Sequence, residues 1–417
     1  MDSFACSVRQ VQGGVMSGCE EERLAWAYLV RVAEPPAPAV VDLVGHVGAV
    51  EAARMIRSGD VPDAVLEATS SRRLVDKAAE DLAAARRVGG RLVVPGDAEW
   101  PAWALLPLAN AAGRGLRWAC PPLGLWVRGK ALLSELLERA VSVVGARAAT
   151  GYGEHVATDL AYELARNGMT VVSGAAYGID GCAHRGALNA EGRTLAVLAC
   201  GIDQSYPAGH TQLLDRITGR GLVVSEYPPG TQPARHRFLV RNRLIAALSA
   251  GTVVVEAGVR SGARNTASSA AALGSVLMAV PGPVTSAMSA GCHELLRDGL
   301  ATTVCTAAHV IEAVGQFGDD LAPKPTTESR PTDSLEGDAL RVHEALEPRI
   351  EQSAERIAEL SGVALTRVRA VLPALELLGL ADRPETGWRR TKANHNPTKA
   401  PPTPQTQQTN NQQPAPT

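Results

Sequence analysis

The chain has 417 residues, and its 41 Lys and Arg nearly balance its 43 Asp and Glu, giving a formal net charge of −2. This length predicts two or three domains, and a hydrophobic content of 45% excludes a wholly disordered protein. The near-zero charge argues against a histone-like protein that coats nucleic acid everywhere, although a local basic site remains compatible with it.

The chain shows no feature of a membrane, secreted or zinc-finger protein. No apolar stretch reaches the ~18 residues that span a bilayer, and no signal peptide is visible at the N-terminus. The seven cysteines are widely spaced and include no C-x-x-C pair, which is neither a disulfide framework nor a zinc-finger spacing. We expect a cytoplasmic protein with no membrane partner, no metal and no cofactor.

The N-terminal part is predicted to be a small helical domain. Residues 1–19 are predicted to form a flexible N-terminus, whereas residues 20–88 are rich in Ala, Leu and Arg at helical spacing. Leu43–Gly48 followed by a helix resembles a degraded helix-hairpin-helix, as in SAM-like domains, but the segment has no Lys or Arg to hold a phosphate. A plain turn between two helices is the favoured interpretation.

Residues 89–316 are predicted to form an α/β domain with an extended, Rossmann-like parallel sheet. Six runs of β-branched and apolar residues alternate with helical stretches, and their starts lie 24 to 30 residues apart, about one βα unit each. Such apolar strands predict an open sheet with helices on both faces and ligands at the carboxyl ends of the strands. The runs are Val141–Val144, Thr170–Ser173, Thr194–Leu198, Leu222–Ser225, Thr252–Glu256 and Val276–Val280.

The C-terminal part is predicted to be a winged helix between two irregular segments. Residues 317–334 form a predicted linker rich in Pro, Thr, Glu and Ser, and residues 393–417 form a predicted disordered tail. Residues 335–392 show the order of elements that is typical of a winged helix. These elements are Glu351–Leu360, a turn at Gly362, Thr366–Leu378 and a strand-like tip at Gly387–Arg390.

The loop after the first of the six strands has the features of an anion site. Gly145 permits a tight turn in a loop that carries Arg147 and Thr150. The backbone N–H groups of this loop and the N-terminus of the helix that follows are predicted to bind an anion. Arg147 stands where a dinucleotide-binding loop needs its second glycine, and Ser173-Gly174 ends the next strand without the acid expected for a ribose. Nicotinamide or flavin is therefore not expected, whereas forked, charged donors suit a phosphate. The alternative is an ordinary turn with a surface arginine.

A basic segment after the fourth strand is the strongest local signal. Within thirteen residues, from Thr231 to Arg243, it contains four arginines and no acid. Arginines that follow phosphates, with an aromatic ring that stacks on a base, are typical of a single-strand nucleic-acid groove. The alternative is a solvated basic helix start with its phenylalanine buried in the core. The candidate residues are Arg235, His236, Arg237, Phe238, Arg241, Asn242 and Arg243.

No residue is nominated as catalytic. The pairs Cys182/His184 and Cys292/His293 lack further metal ligands. A near-match to a Walker A loop at Gly124–Ala131 ends in Ala, where Ser or Thr must bind magnesium, and its interior resembles a strand. Four acids near strand ends lack partners at a diagnostic spacing and are predicted to hydrogen-bond glycine-rich loops. These acids are Asp180, Asp203, Glu226 and Glu256.

Together these stretches resemble the DprA/Smf family of DNA-processing proteins, in consistent order from about Leu92 to Val314. The resemblance implies a protein without established catalytic activity that binds and protects single-stranded DNA. It also implies a homodimer and a RecA-type recombinase as partner, which the protein helps to load during natural transformation. The matching stretches are Gly145–Thr150, Ser173–Asp180, Gly201–Asp203, Tyr206–Pro207, Ser225–Thr231, Phe238, Arg241–Arg243, Glu256, Ser261–Gly262 and Val280–Gly282.

The resemblance also implies roles for single residues. Arg147 falls on the phosphate-binding arginine of the family, and Arg235 and Phe238 fall on a basic and an aromatic position that contact DNA. Arg241 and Asn242 match an Arg-Asn-Arg signature. The departures from the family pattern are Leu239 in place of a proline, Ala263 and Arg264 after Ser261–Gly262, and Ala175–Tyr177 where Leu-Ala-Arg is common.

Two hypotheses from other classes stay open. The first is a Rossmann-like hydrolase of nucleoside monophosphates, although the P-G-G-x-G-T-x-x-E loop that marks this group is replaced by Gly251–Glu256 without a preceding Pro-Gly-Gly. The second is a winged-helix transcription regulator that binds duplex DNA through its C-terminal domain.

Overall fold

The computed structural model describes residues 17–259, 261–315, 320–322 and 331–391. The predicted disordered tail, and most of the predicted flexible N-terminus and linker, lie outside these residues. The chain divides into two compact units, Met1–Pro323 and Lys324–Thr417. None of the described helices is both long and apolar enough to cross a membrane.

The first unit begins with a group of helices. Gly48, with φ +80°, forms the whole turn between the second and third, so Leu43–Gly48 is a helix end and a plain turn. Apolar side chains of these helices share one core with Leu92, Trp126 and Ile202 of the sheet region. The predicted boundary between a helical and a Rossmann-like domain stays a prediction. The helices are α1 (Ser17–Val32), α2 (Pro38–Val47), α3 (Ala49–Ser58), α4 (Asp63–Thr69) and α5 (Ala78–Arg87).

A mostly parallel sheet forms the centre of this unit, and it confirms the predicted α/β fold class. In the described residues its strands are β1 (Gly90–Val93), β2 (Leu125–Arg128), β3 (Ala140–Val144), β4 (Thr170–Ser173), β5 (Thr194–Leu198), β6 (Leu222–Ser225), β7 (Gly251–Val254), β8 (Val276–Ala279) and β9 (Thr302–Thr303). All six predicted strands are present, as β3 to β8. The order of the strands in the sheet is β1-β2-β6-β5-β4-β3-β7-β8-β9, and only the β1-β2 and β2-β6 pairs are antiparallel.

Helices cover both faces of the sheet. Successive side chains of a strand point to opposite faces, and in β3 Val141 and Val143 join one apolar core while Ala140 and Val144 join another. The helices are α6 (Ala102–Gly113), α7 (Leu133–Leu137), α8 (Gly151–Arg166), α9 (Ile179–Asn189), α10 (Thr211–Arg220), α11 (Arg235–Ala247), α12 (Gly262–Leu273), α13 (Ala290–Arg297) and α14 (Ala307–Val314). The core that contains Val141 and Val143 includes residues of α8, α9 and α14, and the core that contains Ala140 and Val144 includes residues of α6, α11 and α12.

The strand order reverses at β3. From this strand the chain adds β4, β5 and β6 on one side, and then returns to place β7 and β8 on the other side. The loops that leave the carboxyl ends of β3 and β7 therefore diverge and open a crevice between them. Doubly wound α/β sheets bind their ligands at such a reversal point.

The second unit is a small helical body with a two-stranded sheet. Val342, Ile357 and Leu372, from its three helices, are buried in one apolar core. Gly362, with φ +68°, ends the second helix at the predicted turn. The first helix was not identified in the sequence, and the winged-helix assignment stays a prediction. The elements are α15 (Gly337–Ala345), α16 (Ala354–Ser361), α17 (Leu365–Leu377), β10 (Ala381–Asp382) and β11 (Arg389–Arg390).

Candidate nucleic-acid interface

A cavity of about 830 Å³ opens at the reversal point of the sheet. Its walls come from the loop after β3, the first turns of α11, and the segment that follows β7 and begins α12. The structure thus brings together eight of the candidate residues, from three separate parts of the sequence. They are Gly145, Arg147, Arg235, Phe238, Arg241, Asn242, Ser261 and Gly262.

Helices α11 and α12 begin at this cavity, and the loop that leads into α8 lines it as well. Thr150 caps α8 by accepting a hydrogen bond from the N–H of Gly153 at 3.2 Å, and Ser261 caps α12 by accepting one from Ala263 at 3.2 Å. The first turns of α11 and α12 contain no acid. Because the N-terminal end of a helix carries partial positive charge, the ends of α11 and α12 favour an anion in the cavity.

Arg147 and Phe238 form the centre of the interface. The guanidinium carbon of Arg147 lies 5.0 Å from the centroid of the Phe238 ring. The centroids of the Tyr206 and Phe238 rings are 5.3 Å apart, and the two ring planes are inclined by 40°. Arg147 and Arg235 are exposed, and Phe238 is only half-buried, so its ring lines the cavity rather than the core. A charged fork beside an accessible aromatic face can bind a phosphate and stack on a base at the same time.

Glu256 fixes the loop that presents Arg147. Its buried carboxylate accepts hydrogen bonds from the N–H and the hydroxyl of Thr150, at 2.9 and 2.6 Å. Its backbone carbonyl accepts the N–H of Ala146 at 2.8 Å. A Cβ on Gly153 would lie 2.2 Å from the Glu256 carboxylate, so only glycine fits there. Thr150 therefore holds the loop instead of lining the cavity, and Glu256 has the loop-binding role that the sequence predicts.

Arg241 lies at the cavity wall, but its guanidinium binds the protein itself. It donates hydrogen bonds to the carbonyl oxygens of Gly174, at 2.8 Å, and of Val197. The carboxylate of Asp180 accepts the N–H of Gly174 at 3.1 Å. Burial lowers the pKa of Arg241 to about 10, and the charge of Asp180 opposes this shift. Arg241 thus fixes the loop after β4, which corrects the expectation that it neutralises a phosphate.

Arg237 and His236 face away from the cavity, toward the N-terminal helices. Arg237 donates to the Glu34 carboxylate at 2.8 Å, and the His236 ring lies 3.3 Å from the same carboxylate. Arg72 donates to Glu34 as well, at 2.7 Å. Burial alone would raise the pKa of Glu34, but the hydrogen bonds from Arg237 and Arg72 hold it below its ordinary value.

Three further candidates, Arg243, Ser173 and Gly174, are buried in the structure. Arg243 is paired with Glu226 inside the protein, so it is not placed to contact a bound strand, contrary to the expectation from the sequence. The hydroxyl of Ser173 donates to the carbonyl of Val143 at 2.7 Å, which ties β4 to β3. The neighbouring Gly174 lines a smaller cleft beside the main cavity.

Sequence reasoning missed two tyrosines at this edge of the sheet. Tyr206 follows β5 and lines both the cavity and the cleft, and Tyr177 follows β4 and lines the cleft. Each of them lies within ten residues of the end of a predicted strand, and this position could have identified them as candidates. In the residues that the structure describes, no group of three or more His, Cys, Asp or Glu is placed to hold a metal ion.

Comparison with known proteins agrees with this geometry. Residues 91–315 match the family described as DNA recombination-mediator protein A. The chain is 51% identical over 369 residues to a putative DNA processing protein DprA of Mycobacterium tuberculosis, with 88% of this chain and 94% of that protein covered. Protein Smf of Escherichia coli is 35% identical over 261 residues, which cover 62% of this chain and 69% of that protein.

A solved structure supports the same conclusion. The X-ray structure of DNA processing protein A (DprA) from Streptococcus pneumoniae superposes with a TM-score of 0.57 at 28% identity, and the match covers 71% of this chain and 98% of that one. The resemblance inferred from the motifs is therefore confirmed, and the arginine-and-phenylalanine cavity lies within the matched residues. The chain belongs to the DNA recombination-mediator protein A family, whose relatives carry the names DprA and Smf.

Proposed function

We propose that the protein binds single-stranded DNA in the cavity at the carboxyl ends of β3 and β7. The observation that carries this proposal is the placement of the Arg147 guanidinium 5.0 Å from the half-buried Phe238 ring, in the cavity where α11 and α12 begin. The helix ends and Arg147 supply charge for the phosphates, and Phe238 supplies a surface for a base.

A single strand fits this arrangement better than a duplex. In a duplex every base is already stacked between neighbours and paired, so none can lie on Phe238 without being extruded. Arg147, Arg235 and Phe238 converge on one concave site, which suits a flexible strand. Because a phosphate and an aromatic stack need no particular base, we expect little sequence preference.

The finer assignments rest on membership of the family. The bound strand is protected and passed to a RecA-type recombinase during DNA uptake, and the protein acts as a homodimer in the cytoplasm. The side chains of Cys120, Cys182, Cys200, Cys292 and Cys305 are free thiols, as suits a reducing compartment. Separately prepared recombinase should bind the full chain in a pull-down and should load faster onto a protected strand in its presence.

The protein acts without catalytic turnover in this proposal. The competing hydrolase hypothesis needs a carboxylate that is free to attack or to activate water. Glu256 is the acid nearest to the required position, and both its oxygens accept hydrogen bonds from Thr150 inside the protein. Incubation with each nucleoside monophosphate should release no free base, and steady release would favour the hydrolase.

The direct test is a titration of a labelled oligothymidylate followed by fluorescence anisotropy. Arg147→Ala should weaken binding by about 1.5–3 kcal/mol, the range for a hydrogen bond to a charged group. Arg193→Ala is the matched control, because Arg193 is also exposed but precedes β5, at the opposite edge of the sheet. If Arg147→Ala binds like the unaltered protein, the DNA does not occupy this cavity.

A further inference from the structure

The cleft beside the main cavity is unusually aromatic. Tyr177, Tyr206 and Phe238 all line it, together with Arg147. The whole chain contains only six Tyr and three Phe, so a third of these rings surround one small cleft. The cleft and the main cavity share Arg147, Tyr206 and Phe238, and therefore form one continuous surface.

Tyr177 lines the cleft but not the main cavity, and it has no role in the proposed function so far. Its side chain is 50% exposed. One side of the ring is fixed by His210, whose ring meets it edge to face at a centroid distance of 4.8 Å. Its hydroxyl lies close over Gly209, where an added Cβ would be 2.7 Å away. The ring is thus held in place, and part of it still faces solvent.

The loop that carries Tyr177 is rigidly held in an uncommon conformation. Ala175 has φ +54°, in the left-handed region that residues with a side chain rarely adopt. His210 lies 3.0 Å from the Ala175 carbonyl, and the loop is also bound by Asp180 and Arg241 through Gly174. Strain of this kind persists where surrounding contacts over-determine it, and it concentrates at binding sites. A rigid aromatic ring loses little conformational entropy when it binds a ligand.

We propose that Tyr177 forms a second nucleobase subsite, next to the one on Phe238. The ligand is then two consecutive unpaired bases, one stacked on Phe238 and the other on Tyr177. Arg147 lines the cleft between them and is placed to bind the phosphate that joins the two nucleotides. This inference rests on the proposed function, which it deepens by giving the site a length of two bases.

A base is the ligand chemistry that suits this subsite. The walls contributed by Ala176, Leu198, Ala199 and Pro207 are apolar, and the one charged side chain among the lining residues is Arg147. A flat, neutral π-surface is favoured against the Tyr177 ring, whereas a second phosphate would find no further cation there.

The test is an abasic scan of a short oligothymidylate, in which one base at a time is removed and binding to the full chain is measured by anisotropy. The unaltered protein should lose affinity at two adjacent positions, by about 5- to 150-fold each. The Tyr177→Leu protein should bind the intact strand more weakly by a similar factor. At one of the two positions, removal of the base should no longer change its affinity. Phe238→Leu should become insensitive at the other position.

Conservative and control variants separate stacking from a merely structural effect. Tyr177→Phe keeps the π-face and should bind like the unaltered protein, with the same abasic pattern. Tyr162→Leu, on α8 and outside both the cavity and the cleft, should change nothing. The melting temperature of each variant shows that it is folded.

The outcomes distinguish this inference from the proposed function. If Arg147 and Phe238 variants lose affinity but Tyr177→Leu binds with the unaltered abasic pattern, the second subsite is refuted and the proposed function stands. If the unaltered protein does not bind oligothymidylate, the proposed function itself fails. A pattern with a single sensitive position would likewise refute the second subsite.

Discussion

Arg243 and Glu226 form a buried, bidentate salt bridge. Both N–O distances are 2.7 Å, and the two side chains are only 2% and 5% exposed. The guanidinium also donates to the carbonyl of Cys120 at 3.2 Å, which connects α11 to the segment before β2. The most buried arginine of the basic segment is therefore a structural element of the fold.

Removal of the acid from this pair should strongly destabilise the fold. Glu226→Ala leaves the Arg243 charge buried without its partner, which typically reduces the free energy of unfolding by about 3–5 kcal/mol. Chemical unfolding followed by circular dichroism measures the change. Replacing both residues, as Glu226→Leu with Arg243→Met, should recover a large part of the loss. A Glu226→Ala protein as stable as the unaltered one would contradict this role.

The salt dependence of DNA binding should reflect two phosphate contacts. Arg147 and Arg235 are exposed at the cavity, whereas Arg237 and Arg241 bind protein groups. A contribution of about −0.7 per phosphate gives a slope of log K on log salt of about −1.4, or about a 7-fold loss of affinity between 50 and 200 mM salt. Anisotropy titrations at several salt concentrations measure this slope. A slope near −2.8 would show that all four arginines contact phosphates, as the sequence alone suggests.

Charge and stacking should be separable within the same cavity. Arg147→Ala should flatten the salt slope by about 0.7, because one phosphate contact is lost. Phe238→Ala should weaken binding by about 1–3 kcal/mol per stacked base and leave the slope unchanged. The two variants are compared in the same salt titration. Equal slopes for both variants would argue against Arg147 as a phosphate ligand.

Thr150 should affect DNA binding without touching DNA. Thr150→Val removes the helix cap and the 2.6 Å hydrogen bond to Glu256, and a lost cap alone costs about 0.5–2 kcal/mol of stability. Since this contact holds the loop that presents Arg147, affinity should fall while the salt slope stays the same. Thr158→Val, on the exposed part of α8, is the control. Unchanged affinity in a destabilised Thr150→Val protein would show that the loop is held by other contacts.

Acid should destabilise the protein through His184. The hydroxyl of Thr194 donates to the Val171 carbonyl at 2.6 Å, so it accepts the Nδ1–H of His184 at 2.7 Å. The buried Nε2 has no hydrogen-bond partner among the described residues. A proton there would be an unpaired buried charge, and burial accordingly lowers the pKa of His184 from 6.5 to about 3.

The sign of the pH effect follows from these two values. Between about pH 6.5 and 3 the unfolded chain binds a proton that the folded chain does not, so this contribution to stability is full above pH 6.5 and falls as the pH is lowered. At pH 5 the loss is about 2 kcal/mol. The free energy of unfolding of the unaltered protein and of His184→Gln should therefore converge from pH 7 to 5. Parallel curves would contradict the prediction.

The C-terminal unit should not be needed for single-strand binding. Residues 335–392 contain nine Lys and Arg against ten Asp and Glu, without the excess of positive charge that phosphate binding requires. In α17, Arg367 and Arg369 are paired with Asp338 and Glu355. A chain that ends at Gly318 should bind oligothymidylate with a Kd within a factor of about three of that of the full chain, which is a difference of less than about 1 kcal/mol in binding free energy. Loss of nearly all affinity would place the main binding site in the second unit.

The sequence predicted the strands and the location of the site because both depend on local patterns. Apolar runs of four or five residues at βα spacing are enough to identify β3 to β8, and strand ends converge at one edge of a parallel sheet. The helical period of α11 could also have shown which of its candidate residues face the cavity. Arg235, Phe238 and Asn242 share one face and line the cavity, whereas His236 and Arg243 lie on the other side of the helix.

The partners of the arginines could not be predicted in this way. Arg237 binds Glu34, from which it is separated by 203 residues, and Arg241 binds carbonyl oxygens at the ends of two other strands. No local pattern indicates such contacts, because they depend on how distant segments pack. The edge strands β1 and β9 were missed for a related reason, since short edge strands carry little periodicity. The strand β2 was noticed only as the strand-like interior of Gly124–Ala131 and was not assigned to the sheet.

The reversal of strand order at β3 also determines when the cavity can first exist during synthesis. Val141 of β3 pairs with Gly251 of β7, so the two walls of the site are separated by more than a hundred residues of chain. β4, β5 and β6 can add to β3 one after another as they leave the ribosome, but the crevice opens only when β7 arrives. Such non-local pairing is slow, and an unpaired edge exposed in the meantime favours aggregation. A nascent chain that stops before Val254 therefore has a half-built sheet with one open edge and no place to hold a strand of DNA.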